Sequence, residues 1–298
     1  MNLLPMTYFV EVAKQQGISR AAESLQITQQ TLSSHIAAME KELDCRLFVR
    51  RPKFRLTPEG EMFLEYCQRF IGLDRNMRQE LRDMSGEVAG IVRAGISQTR
   101  SLILMPELIT GFQKKYPKVR VYLSEITNDE LLSRIGKDEL DLIIGDVSEE
   151  RPDLDVEELY RERMAVIIPK KEEYAPLAKL LQETGDLGHL ASWPMITNTR
   201  NDIVGRYINQ VLLQNHIPPN IAAISDIAGT CLRLCAEGVG VYLCPDLYVR
   251  YYREVEEKCI IIPLPYSYSI HMAMRKTEHR AAAADRFAAY CRDYLTFL

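Results

Sequence analysis

The chain lacks a CxxC pair among its seven cysteines, which argues against a zinc ribbon, and their odd number argues against a closed disulfide framework. Reduced thiols in a cytoplasmic protein fit this usage best. No apolar run approaches the roughly 20 residues that a membrane-spanning helix needs, and the first residues lack the charged-then-apolar order of a signal peptide. No membrane association is expected. GxSxG, HExxH and P-loop motifs are missing, and Gly238 and Gly240 around Val239 lack both a third glycine and a preceding strand, so no dinucleotide loop is encoded. These glycines read instead as a turn from a helix into a strand. The five histidines, His35, His189, His216, His271 and His279, are scattered; no catalytic residue, metal site or cofactor is expected. A net charge of -4 argues against a protein that coats nucleic acid without sequence preference, but it leaves room for a small basic surface.

What is present is ordinary globular material: 47% hydrophobic and 26% charged residues over 298 positions, enough for two or more domains. The most informative stretch, ISRAAESLQITQQTLSSHIAAMEKEL, reads as two helices about a tight turn at Gln26 and Ile27. Ser19 and Thr28 are the expected caps. Ala21 and Ala22 allow close backbone approach, and Leu32, Ile36, Met39 and Leu43 form a stripe that must be buried. A preceding helix offers Leu4, Phe9, Val10 and Ala13 to cover it. Gln29, Gln30, Ser33 and Ser34 share the opposite edge at the start of the second helix. Such side chains suit base edges in a major groove, where Gln pairs with adenine through two hydrogen bonds; a helical hairpin with a solvated polar face fits this segment equally. The next residues, RLFVRRPKFR, crowd Arg46, Arg50, Arg51, Lys53 and Arg55 around Pro52. Two short strands about a turn make a wing, and beside a helix-turn-helix its cations favour phosphate contact over a merely solvated surface.

The opening residues, YFVEVAKQQGISRAAESLQITQQTLSSHIAAMEKELDCRLFVR and then LTPEG, resemble the winged helix-turn-helix of LysR-type transcriptional regulators. That family usually reads Ser-Gln-Pro-Ala-Leu-Ser-Arg where this chain has Thr28, Gln29, Gln30, Thr31, Leu32, Ser33 and Ser34. Gln30 replaces the usual proline and Ser34 the usual arginine, so one cationic contact is missing and the preferred operator is expected to differ. The resemblance implies contact with double-stranded operator DNA through Thr28, Gln29, Gln30, Thr31, Ser33, Ser34, Arg50, Arg51, Lys53 and Arg55. For an activator it further implies RNA polymerase as a partner, in a bacterial-type cytoplasm where the protein joins the nucleoid when bound to DNA.

Thr57 and Pro58 open a long helix, a cap followed by proline at the first helical position. Phe63, Tyr66, Phe70, Leu73 and Met77 recur at steps of three and four and Leu81 continues the stripe, a seam spanning about 40 Å. The seam either folds back on its own domain or pairs with a second copy; the resemblance implies pairing, a dimer that effector domains extend to a tetramer. Two copies would present two reading heads to a roughly palindromic site.

After Gly90 the rhythm becomes strand, helix, strand, helix, strand, ending in LDLIIGD, whose continuous Leu and Ile predict burial on both faces. A comparable unit recurs as WPMITNT, a helix over 202–214, NIAAISD, a helix through Leu232 and Leu234, and VGVYLCP. RERMAVIIPK carries the chain into this second lobe, IIPLPYSYSIHMAMRK returns it, and a last helix over 281–297 completes the first. The expected architecture is an N-terminal all-α winged helix-turn-helix (1–58), a long linker and dimerisation helix (59–88), and an α/β two-lobed, periplasmic-binding-protein-like effector domain (89–298). Lobe I takes about 89–161 and 266–298, lobe II about 162–265.

Ligands in such folds bind where strands end and helices begin. Ser97, Gln98 and Thr99, then Thr127 and Asn128, then Thr197, Asn198 and Thr199 occupy those places, either as caps or as contacts to an effector. The resemblance assigns the first and third clusters and Thr127 to inducer contact. Few cations lie near these clusters apart from Arg100 and Arg200; hydroxyls and helix dipoles are compatible with a small anionic effector, whose identity the sequence does not give. Cys231 and Cys235, one helical turn apart, read as core rather than as a metal or redox pair. The alternative from another class is a cytoplasmic solute-binding or enzymatic α/β protein whose N-terminal helices serve only assembly.

Overall fold

The computed structural model describes residues 3–83, 88–200, 202–277 and 280–295. Two compact units divide the chain, one built mainly on residues 1–87 and the other mainly on residues 88–298.

The first unit contains α1 (Leu3–Gln15), α2 (Ile18–Ser24), α3 (Gln29–Glu42), the two-stranded antiparallel wing β1 (Phe48–Val49) and β2 (Arg55–Leu56), and α4 (Pro58–Asp83). Its core is the expected stripe: Leu32, Ile36 and Met39 are buried against Met6, Phe9, Val12, Ala21 and Ala22, while Leu43 caps α3 half-buried. Each of the larger side chains among these, the alanines aside, contributes about 1.5–3 kcal/mol on leaving water. Leu4 is not part of this face; it is 49% exposed, and the inward positions of α1 are Met6, Phe9 and Val12. Ser19 is also not a cap. α2 begins at Ile18 with Gly17 as its N-cap, which leaves the Ser19 hydroxyl free to donate to Gln29 at 3.1 Å. Thr28 and Thr57 do cap their helices: Thr31 N–H donates to Thr28 Oγ1 at 3.1 Å, and Gly60 N–H to Thr57 Oγ1 at 2.9 Å.

The second unit runs β3 (Gly90–Ile96), α5 (Gln98–Lys115), β4 (Val119–Glu125), α6 (Asn128–Gly136), β5 (Leu142–Gly145), β6 (Leu154–Pro169), α7 (Ala175–Thr184), β7 (Pro194–Asn198), α8 (Ile203–Gln214), β8 (Asn220–Ser225), α9 (Ala228–Ala236), β9 (Val241–Pro245), α10 (Asp246–Tyr251), α11 (Arg253–Lys258), β10 (Cys259–Arg275) and α12 (Ala282–Leu295). The strands pair in the order β4-β3-β5-β10-β6-β9-β7-β8. Strands β4, β3 and β5 are parallel, as are β8, β7 and β9, which gives the two expected α/β lobes. β5 is buried at all four positions, as its unbroken apolar run requires. The expected end of the last helix, residues 296–297, lies outside the described residues, as do residues 84–87 of the expected linker.

The two crossing segments are the long antiparallel partners β6 and β10, which stand side by side between the lobes. Their ladder breaks between Pro263 and Ser267, where Pro263 and Pro265 cannot donate a backbone hydrogen bond. Gly238, at φ 88°, makes the turn from α9 toward β9 that the sequence suggested. The sequence reading did not anticipate α7, α10 or α11.

Candidate nucleic-acid interface and ligand cleft

The leading turn of α3 is a row of polar side chains. Thr28, Gln29, Gln30, Thr31 and Ser34 are exposed and Ser33 is half-buried. Thr28 and Thr31 are bound to each other at 2.8 Å and Gln29 is held by Ser19, whereas Gln30 and Ser34 make no side-chain hydrogen bond among the described residues. Gln30 therefore has both its oxygen and its amide free for a base edge. In the wing, Arg51, Lys53 and Arg55 are exposed and form no ion pair among the described residues. Arg50, at 3.8 Å from Glu40, is partly turned back.

Glu40 is a residue that pattern reading missed. Its carboxylate is 6% exposed and accepts from Leu47 N–H at 2.9 Å and Phe48 N–H at 3.3 Å, with Arg46 at 3.4 Å. It thus ties α3 to the base of the wing, and Phe48 stacks on Phe54 at 4.9 Å to hold the far strand. Only its place on the buried side of α3, one residue after Met39, hints at this in the sequence. Glu40→Ala is expected to cost about 1–3 kcal/mol by stranding two buried donors, and Glu40→Gln less because one oxygen remains; thermal melts of both variants check the order.

On α4, Tyr66, Phe70, Leu73 and Met77 are exposed, at 49 to 65%. Phe63 is different: it is half-buried and packs edge-on against Phe9 at 4.9 Å, so it joins the core of this unit as well as the seam. All five, with Leu3, Met6 and Met62, line an apolar groove of about 610 Å³.

In the second unit, five of the eight predicted cleft residues converge. Ser97, Gln98, Thr99, Thr127 and Thr199 line one cavity of about 400 Å³, together with Glu125, Ile126, Glu130, Asp202, Val204, Asp226, Ala228 and Tyr248. Gly205 makes this possible: a Cβ there would meet the Thr199 carbonyl oxygen at 2.1 Å, so only glycine lets α8 close on that backbone. The other three residues do not line this cavity. Asn128 is buried, donating to the Asp146 carbonyl at 2.8 Å and accepting from Asp146 N–H at 2.9 Å. Asn198 accepts from the buried Tyr242 hydroxyl and donates to Ser225 O, and Thr197 donates to Asn198 O at 3.2 Å. Thr127 and Glu130 form a reciprocal capping box, legible in hindsight as T-x-x-E.

The expected anion-binding cations do not line the cavity. Arg100 is 1% exposed and spent on Glu162, with two bonds at 2.7 and 2.9 Å, and it also reaches Ser97 at 3.0 Å and Tyr268 at 3.3 Å. Burial works against this guanidinium, but the adjacent carboxylate outweighs it and holds its pKa well above the usual arginine value. Arg200 is exposed and donates to Asn209. Burial instead raises the Asp202 carboxyl, although Arg100 and the α8 backbone N–H groups oppose the shift.

A second feature bridges the lobes. Arg206 of α8 reaches Asp129 at 3.3 Å and Asp146 at 3.8 Å, and the neighbouring Tyr207 stacks on Tyr268 of β10 at 3.9 Å. The Arg206–Asp129 pair, exposed on both sides, contributes about 0–1 kcal/mol, weak enough to break when the lobes part. The Cys231 thiol, beside the Thr197 carbonyl, is pushed up to about 11 by burial, and Cys67 to about 12, as befits packing residues. Among the described residues no group of side chains is placed to hold a metal ion, and no helix is long and apolar enough to cross a membrane.

A family model described as "LysR substrate binding domain" matches residues 85–296, and one described as "Bacterial regulatory helix-turn-helix protein, lysR family" matches residues 4–61. The chain belongs to the LysR family. This regulator is 29% identical over 244 residues to the uncharacterized HTH-type transcriptional regulator YybE of Bacillus subtilis (strain 168), covering 81% of this chain and 82% of that protein. It is 31% identical over 214 residues to a probable RuBisCO transcriptional regulator of Phaeodactylum tricornutum, covering 69% and 67%. Among solved structures the regulator resembles CbnR, a LysR family transcriptional regulator, with a TM-score of 0.67 at 18% identity over 99% of both chains. It also resembles a full-length OxyR variant from Pseudomonas aeruginosa, at 0.69 and 22%, over 99% of this chain and 94% of that one. The regulator is thus a DNA-binding transcription factor with a substrate-binding effector domain, and not an enzyme.

Proposed function

We propose that this regulator binds operator DNA as a dimer, with Gln30 and its neighbours reading bases, Arg51, Lys53 and Arg55 holding phosphates, and a small molecule in the inter-lobe cavity controlling the response. The observation that carries the ligand reading is the convergence of Ser97, Gln98, Thr99, Thr127 and Thr199, from both lobes, on one cavity. A ligand that prefers one closure of the lobes shifts the population toward it, by no more than its difference in affinity for the two states. The Arg206 bridge to Asp129 and Asp146 belongs to one of those states. Closure would alter the spacing of the reading heads and the bend imposed on DNA.

The second occupant of the α4 groove is another copy of this chain, since Tyr66, Phe70, Leu73 and Met77 give a self-complementary apolar face. Assembly to a tetramer, contact with RNA polymerase if the regulator activates, and residence in the cytoplasm belong to the same reading. One solved structure with this fold is CbnR complexed with its target DNA, at a TM-score of 0.65 and 19% identity over 99% of this chain and 100% of that one.

Gel shifts on the DNA upstream of the regulator's own coding region test the interface. Gln30→Ala is expected to weaken specific binding by about 1–3 kcal/mol and to relax the choice of base at one position. Arg51→Ala is expected to weaken all sequences alike and to lower the salt slope by about one unit. Equal losses on every sequence for both variants would contradict the assignment.

A further inference from the structure

The cavity between the lobes is lined by acids beside its hydroxyls and, among the described residues, by no cation. Glu125 and Glu130 enter it from the first lobe, Asp202 and Asp226 from the second. None of the four has an ion-pair partner among the described residues. Their contacts are neutral: Asp226 accepts from the Thr199 hydroxyl at 2.7 Å, Asp202 from Val204 N–H at 3.0 Å, and Glu130 from Thr127 N–H at 3.4 Å.

Charge arithmetic decides the sign of the site. The N-termini of α5, α6, α8 and α9 adjoin the same space, and each is equivalent to roughly half a positive charge. Against four full carboxylates that leaves about two negative charges uncompensated. Arg100 favours the charged form of Asp202, but with Glu162 bound to it the pair brings no net charge to the count. An independent observation points to a ligand: Thr99 is 8% exposed, lines the cavity, and has no side-chain hydrogen-bond partner among the described residues. With no protein partner among the described residues, that hydroxyl is left to bond an atom in the cavity. A bare metal ion does not fit, since among the described residues the acids do not gather closely enough to ligate one. Ile126, Val204 and the Tyr248 ring add apolar surface for a carbon skeleton.

We infer that the effector is a small organic cation carrying protonated amino or guanidino groups, held between the acids of the two lobes, with Thr99 bonded to a polar atom of the ligand. This rests on the cleft being the effector site. Like charges on facing lobes oppose their approach while the cleft is empty, and an entering cation removes that repulsion, so binding and closure are linked.

The test uses the full chain without DNA, so that counterion effects on the duplex do not intrude. Agmatine and putrescine are the cationic probes, succinate the size-matched dianion and 1,4-butanediol the neutral control, each followed by calorimetric titration and thermal shift. A cation is expected to bind and raise Tm, with succinate and the diol inert. Glu130→Gln and Asp226→Asn are each expected to weaken it by roughly tenfold, and Thr99→Val to weaken it with unchanged far-ultraviolet dichroism. Succinate binding that Thr99→Val abolishes overturns the cation while keeping the cleft. Cation binding that survives all three substitutions overturns the cleft reading itself. No binding of either cation at millimolar concentration overturns the proposal.

Discussion

Glu162→Gln is expected to lower the stability of the second unit by roughly 3–5 kcal/mol, and Arg100→Met by a similar amount. The pair is almost wholly buried, Arg100 at 1% and Glu162 at 0% side-chain exposure, and it is joined by two hydrogen bonds. Tyr160 donates to the same carboxylate at 3.2 Å, and Tyr268 lies within hydrogen-bonding distance of the guanidinium. Removing either charge strands the other in a site that water does not reach, which is why the single losses are large. Joint replacement by Arg100→Met and Glu162→Leu is expected to cost much less than the sum, because no unpaired charge remains. Trp193 is the chain's sole tryptophan and lies in this unit, with its ring 5.2 Å from Tyr174. Its fluorescence in urea therefore reports the unfolding of this unit alone. Single variants within about 0.5 kcal/mol of the parent would refute the account.

Phe70→Glu combined with Leu73→Glu is expected to leave the chain monomeric and to reduce operator affinity by about 10²–10⁴-fold. Both side chains are more than half exposed on α4, so their replacement costs little within one chain but sets like charges into the paired face. Once the heads are separate, the second half-site no longer benefits from the high effective concentration that the first contact provides. Light scattering reads the mass and gel shifts the affinity. A dimer that survives both changes would mean that the groove of about 610 Å³ serves another occupant. Phe63 is a poor choice for this experiment, because it also packs on Phe9 and its loss would disturb the head.

Periodicity alone was a reliable guide to α3 and α4, where apolar side chains recur along a single helix. It also exposed the two strand-helix-strand units, because β5 and β9 are unbroken apolar runs. Polar residues were harder to place. Thr28 could be read as a cap from its position, whereas Ser19, near the start of α2, could not be seen to reach Gln29 ten residues on. Of the cleft residues, Thr99 and Thr199 line the cavity, while Asn128 and Asn198 turn into the scaffold.

The linear order of residues determined which segments coil, which extend and which faces must leave water, since those depend on neighbours within a few positions. Charge pairing was decided only on folding. Glu162 lies 62 positions from Arg100, and it takes the cation that seemed available for a ligand. The acids at 125, 130, 202 and 226 line one cavity only because the chain crosses twice between lobes along β6 and β10. Coulomb forces depend on distance in space, and no local pattern carries that information.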